Sequence, residues 1–134
     1  MADTSKYPIW ATGRRKTSVA RVRVVPGAGR LLVNDKSIQD YFGGHVRAQA
    51  EASAPLQTAK KTSTYDIHVT VMGGGVHGQA GAIKLGLARA FVAIDPSQRG
   101  PFKKEGFMKR DPRMVERKKP GQPKARRRFQ HSKR

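Results

Sequence analysis

The chain has 134 residues, carrying 28 Lys and Arg against 9 Asp and Glu, a formal charge of +19, and no cysteine. This length suits one domain with a modest core, and the missing thiols exclude disulfides, thiolate metal sites and cysteine nucleophiles. A protein this basic repels itself unless a polyanion neutralises it; nucleic acid is the commonest such partner, ahead of acidic membranes and acidic proteins.

The opening residues, MADTSKYPIW, lack the apolar stretch of a signal peptide. The longest apolar run, Ala90 to Ile94, is far too short to cross a bilayer. The expectation is a soluble, cytoplasmic polyanion binder with no membrane partner.

In chain order, Tyr7 to Gly13 reads as a short strand, followed by the basic triplet Arg14, Arg15 and Lys16. In TSVARVRVVP, Ala20, Val22 and Val24 fall on one face and Arg21 and Arg23 on the other, the pattern of a half-buried strand. Pro26 to Gly29 reads as a turn, and Leu31 to Val33 as a third strand. Ser37 with Asp40 three residues later predicts an N-cap and a short helix ending at Gly43-Gly44. A second helix is expected from His45 to Ala54, stopped by Pro55. Tyr65, Ile67, Val69 and Val71 alternate with Asp66, His68 and Thr70, the strongest strand signal of the chain. Ile83, Leu87, Phe91 and Ile94 then recur at helical spacing and predict a stripe packed on the sheet. The expected fold class is α+β: a sheet of about four strands with helices on one face. No internal repeat is visible.

Charge divides the chain into a globular domain, residues 1–98, with net +7, and a basic C-terminal extension, 99–134, with net +12. Within the extension, Pro101, Phe102, Phe107 and Met108 predict a short anchored segment over 99–110. Beyond Met114 and Val115, Ala125 and Phe129 are the remaining apolar residues, so 111–134 cannot bury enough surface to order itself. Pro120, Gly121 and Pro123 oppose helix, which predicts an extended tail with a reach of about 3.3 Å per residue.

The glycine-rich stretch GGGVHG, Gly73 to Gly78, follows a strand and opens a helix, and it matches the dinucleotide fingerprint G-x-G-x-x-G. That fingerprint needs an acidic residue about twenty positions on, closing a second parallel strand. Asp95 has the distance, but it ends a helix and no second strand follows. A phosphate loop of the G-x-x-x-x-G-K type fails because Leu87 follows Gly86. The bland alternative is a tight strand-to-helix turn with close helix–sheet packing. One functional reading survives: the amides of Gly73, Gly74 and Gly75 at a helix N-terminus receive an RNA phosphate. His45, His68, His77 and His131 show no metal-ligand spacing. No catalytic constellation is evident, which points to no enzyme, no cofactor and no small-molecule substrate.

The basic elements carry more. Arg14, Arg15 and Lys16, with Arg21 and Arg23 beyond, form a plausible stripe for a nucleic-acid backbone, against the bland alternative of a solvated loop. The tail runs through RDPR (Arg110 to Arg113) to KARRRFQHSKR. Its charge is mostly arginine, suited to bidentate phosphate contacts and stacking. A disordered solubility appendage or a localisation signal is the bland alternative there.

ATGRRKTSVARVRVVPGAGRLLVN, YDIHVTVMGGGVHGQAGAIKLGLARA, RDPRMVERKK and KARRRFQHSKR together resemble the bacterial form of the small-subunit ribosomal protein nine family, in order and over nearly the whole chain. The resemblance implies a domain with a left-handed β-α-β unit, docked on the 30S head against 16S rRNA and neighbouring head proteins. It implies rRNA contacts by Arg14, Arg15, Lys16, Arg110, Arg113, Arg117, Lys118, Lys119, Lys124, Arg126 and Arg127. It also implies a tail that threads toward the peptidyl (P) site, where Arg128, Ser132, Lys133 and Arg134 meet the anticodon stem-loop of tRNA. Two residues depart from the family pattern: Phe129 stands where a small residue or proline is usual, and His131 where an aromatic is common. The alternative reading is a free-standing nucleic-acid chaperone or nucleoid protein, and behind it a nucleotide-binding enzyme.

Overall fold

A computed structural model describes residues 8–59, 65–110 and Pro120. Along the described chain come β1 (Ile9–Arg15), β2 (Ser18–Pro26), β3 (Leu31–Val33), β4 (Lys36–Ser37), α1 (Ile38–Phe42), α2 (Val46–Ala59), β5 (Tyr65–Met72), α3 (Val76–Ile94) and α4 (Arg99–Glu105). A 3₁₀ turn, Pro96–Gln98, precedes α4. The strands form one mixed sheet in the order β1-β2-β5-β3-β4, antiparallel except where β3 runs parallel to β5. This is the expected α+β class.

The core begins from the alternation in β2 and β5. Ala20, Val22 and Val24 are fully buried and stand opposite Val71, Val69 and Ile67 in the ladder. Side chains alternate across a strand, so these residues share one face. Helix α3 packs against β1 and β2, and its glycines set how closely. A Cβ on Gly13 of β1 would overlap the carbonyl oxygen of Ala82 and the amide of Gly86. A Cβ on Gly86 would come within 2.7 Å of Val22 Cγ2 and 3.2 Å of Gly13 N. Strand and helix thus touch backbone to backbone, which a side chain at either position would prevent.

Among the described residues the sheet has five strands where about four were expected. The extra one, β4, is only two residues long and pairs with β3 across Asn34-Asp35. Both turn residues have left-handed φ, 51° and 66°, as a two-residue hairpin of type I′ requires. Asn34 also prolongs the β3–β5 ladder: its amide N donates to Val69 O at 2.8 Å, its Nδ2 to Val71 O at 3.1 Å, and its Oδ1 accepts from Val71 N at 3.0 Å.

Ser37 caps α1 as expected, its Oγ accepting from Asp40 N at 3.1 Å. Pro55, by contrast, does not stop α2, which continues to Ala59. An interior proline removes a hydrogen bond and costs about 3 kcal/mol. Here the ring is fully buried beside Ala48, Ala52 and Leu56, a stripe at spacings of four, three and one. Burial of that stripe in the core outweighs the missing bond. Near the end of the described chain, Phe102 and Phe107 are buried with ring centroids 5.9 Å apart, and Met108 packs against the core. Between them, Gly106 closes α4 at a left-handed φ of 79°.

Candidate nucleic-acid interface

The basic triplet at the β1–β2 turn does not act as one cluster. Arg14 and Lys16 are exposed, with Lys16 at φ 53° in the turn itself. Arg15 faces the helices, because it stands opposite the fully buried Ser18 in the hairpin ladder. Its Nη1 donates to Glu51 Oε1 at 2.9 Å and to His77 O at 3.1 Å. Its stem lies where a Cβ on Gly81 would be. Lys84 Nζ reaches the same Glu51 oxygen at 3.3 Å. One carboxylate from α2 therefore holds two cations, one from β1 and one from α3.

These residues line an open cleft of about 400 Å³ with Arg14, Leu85, Phe107, Lys109 and Arg110. Five cations face one carboxylate in this cleft, and that acid is already shared. Such a concavity concentrates positive potential and suits a phosphate backbone. It joins Arg14 to Arg110, residues almost a hundred positions apart, by way of the α4 anchor. Lys84, Lys109 and Glu51 were not singled out from sequence. Lys84 had one usable signal: it interrupts the apolar run of α3 between Ile83 and Leu85.

The glycine turn lies against the same hairpin. Gly73 and Gly74 have left-handed φ of 76° and 70°, and Gly75 caps α3 without a side-chain bond. Ser18 Oγ donates to Gly73 O at 2.8 Å, and Gln79 Nε2 donates to the same oxygen at 3.2 Å. A Cβ on Gly74 would strike the Ser18 hydroxyl. Gly74 and Gly75 share a pocket with Lys16, Thr17 and His77. The turn thus offers exposed amides beside a lysine. The acid a dinucleotide site would need is engaged elsewhere: Asp95 Oδ1 accepts from Ser97 N at 3.1 Å and Ser97 Oγ at 2.7 Å, capping the 3₁₀ turn.

Arg21 and Arg23 lie on the sheet face opposite the buried valines, as the alternation predicts, and the Arg21 guanidinium stands 5.4 Å over the Trp10 ring. Asp66 on β5 is committed to the β2–β3 turn, its Oδ1 accepting from Ala28 N at 3.0 Å and Arg30 N at 3.1 Å. The Arg30 amide foremost, helped by the amides of Ala28 and Gly29 and the Arg30 charge, holds this carboxyl below its usual pKa against the opposing effect of burial. His45 and His77 meet edge to face with ring centroids 6.5 Å apart. Among the described residues no group of His, Asp and Glu could hold a metal ion, and no helix is long and apolar enough to cross a membrane. Arg113, Arg117, Lys118, Lys119, Lys124, Arg126, Arg127, Arg128, Phe129, His131, Ser132, Lys133 and Arg134 lie outside the described residues.

Residues 13–134 match the family of ribosomal protein S9/S16. The chain belongs to this family. Small ribosomal subunit protein uS9 of Synechococcus sp. (strain JA-3-3Ab) is 53% identical over 133 residues, covering 99% of this chain and 97% of that protein. The uS9 proteins of Chlorobium limicola and Nocardia farcinica are 50% and 49% identical, over 96% and 95% of this chain and 99% and 75% of their own lengths. The family is a structural one, so the nucleotide-binding enzyme drops out.

Proposed function

We propose that the protein is a structural component of the small ribosomal subunit that binds 16S rRNA in the 30S head, beside neighbouring head proteins. Family membership over residues 13–134 carries this reading, and the charge distribution of the fold supports it. In this reading the cleft between the hairpin and the α4 anchor receives the rRNA backbone through Arg14, Lys84, Lys109 and Arg110. Lys16 and the amides of Gly73, Gly74 and Gly75 take a further phosphate. Arg15, tied to Glu51, shapes the cleft and adds to its potential. The β3–α1–α2–β5 crossover follows the left-handed path of the family.

The tail completes the proposal. Arg113, Arg117, Lys118, Lys119, Lys124, Arg126 and Arg127 follow rRNA, and Arg128, Ser132, Lys133 and Arg134 contact the anticodon stem-loop of P-site tRNA. The deciding experiment is reconstitution of small subunits with the full chain and with a chain lacking Lys124 to Arg134. Both should co-sediment with the subunit at moderate salt, and the truncated form should hold P-site tRNA more weakly. Unchanged tRNA affinity across several salt concentrations would reject the tail contact. Co-sedimentation with DNA in place of the subunit would instead identify a nucleoid protein.

A further inference from the structure

The sheet face away from α3 is not covered by any described element, and its residues are not those of an inert solvated surface. Trp10 of β1 is 56% exposed. It stands opposite Arg23 of β2, which stands opposite His68 of β5. One ladder step along, Thr12, Arg21 and Thr70 line up in the same way. Arg21 Cζ lies 5.4 Å from the centre of the indole, within cation–π range. The one carboxylate on the β5 part of this face, Asp66, accepts two backbone amides of the β2–β3 turn.

We propose that this sheet face binds an unpaired stretch of RNA, with a base stacked on Trp10 and adjoining phosphates on Arg21 and Arg23. The inference rests on the RNA-binding reading above and extends it to a surface separate from the cleft. Charge complementarity selects the occupant. An apolar protein segment laid across Trp10 would bury two guanidiniums without anions, which is costly. A nucleotide strand supplies a π-face for the indole and an anion for each guanidinium from one chain. The strand must be unpaired, because bases within a duplex are already stacked and their faces are closed to a side chain. Arg21 restrains the indole before RNA arrives, so less ordering remains for binding.

Trp10 is the sole tryptophan of the chain, so its emission reports on this face alone. The full-length protein is titrated with a short fluorescein-labelled single-stranded RNA and, separately, with the same sequence as a duplex. Indole emission and fluorescein anisotropy are both followed. The single strand should quench Trp10 saturably, with the midpoint of the anisotropy curve, and the duplex should bind with little quenching. Trp10→Ala should weaken single-strand binding by about 5- to 150-fold, the range for loss of one base–aromatic stack. Trp10→Phe should retain most of the affinity, and duplex binding should stay within about twofold in both variants. If anisotropy reports binding while Trp10 emission does not change, the sheet-face proposal falls and the RNA-binding reading stands. Equal quenching by duplex and single strand, or full single-strand affinity in Trp10→Ala, would also overturn it. Absence of binding to either RNA would overturn both readings.

Discussion

Glu51 holds Arg15 at 2.9 Å and Lys84 at 3.3 Å in a cleft whose other charges are all positive. Glu51→Gln keeps the shape of the side chain and removes its charge, so stability and RNA binding should move in opposite directions. The side chains are 17%, 25% and 29% exposed for Arg15, Glu51 and Lys84, so solvent screens the pairs in part. Pairs of this kind contribute about 0.2–1 kcal/mol each, and losing both should destabilise the domain by about 0.5–2 kcal/mol. For a domain of this size that lowers Tm by about 2–8 °C. The charges of Arg15 and Lys84, no longer offset by Glu51, meanwhile become available to phosphate. Each that takes one should steepen the plot of log K against log salt by about 0.9 for duplex RNA treated as B-DNA. Thermal melts and anisotropy titrations over a salt series measure the two effects on one sample. The expected result is a lower Tm, tighter binding at low salt and a slope steeper by about one to two units. An unchanged or shallower slope would refute the cleft as a phosphate site, whatever happens to Tm.

Three further outcomes follow from the packing. Gly13→Ala should destabilise by at least about 1–3 kcal/mol in chemical denaturation, because the new methyl meets helix backbone that no rotamer change can clear. Asn34→Ala should cost about 1–3 kcal/mol, since Val71 N loses its acceptor and alanine at φ 51° is strained. Asn34→Asp should recover part of that loss by restoring the acceptor, a difference visible in the denaturation midpoint. The third outcome is a pH effect at Asp66. Its folded-state pKa lies below the unfolded value, so its contribution is present above the ordinary carboxylate range and is lost as pH falls through the folded pKa. Asp66→Ala should therefore lower Tm at neutral pH, and the gap to the parent protein should close below about pH 4. A gap that stays constant into acid would show that the carboxylate charge does not hold the β2–β3 turn.

Much of this fold was legible locally, because a strand or helix that buries one face must repeat its apolar residues at that element's own period. The alternation in residues 17–26 and 65–71 located the two central strands and assigned Arg21 and Arg23 to the far face. Ser37 and Asp40 marked the start of α1. The fifth strand also had a local signal: Asn34-Asp35 is suited to the left-handed φ values of a two-residue hairpin, although β4 itself is too short to show a period. Pro55 is different. Its intrinsic preference says stop, and only the packing of α2 into the core shows why the helix continues.

The composition by itself pointed to a polyanionic partner, since no fold changes a net charge of +19. The tertiary structure alone decided which cations are available to that partner. Arg14, Arg15 and Lys16 are equivalent as a run of sequence, yet the hairpin ladder turns Arg15 inward to a glutamate 36 residues away. The α4 anchor brings Lys109 and Arg110 to the same cleft. Periodicity reports which face a residue occupies but not what stands opposite that face. That depends on contacts between distant segments, and an ion pair leaves no trace in the spacing of the residues that make it.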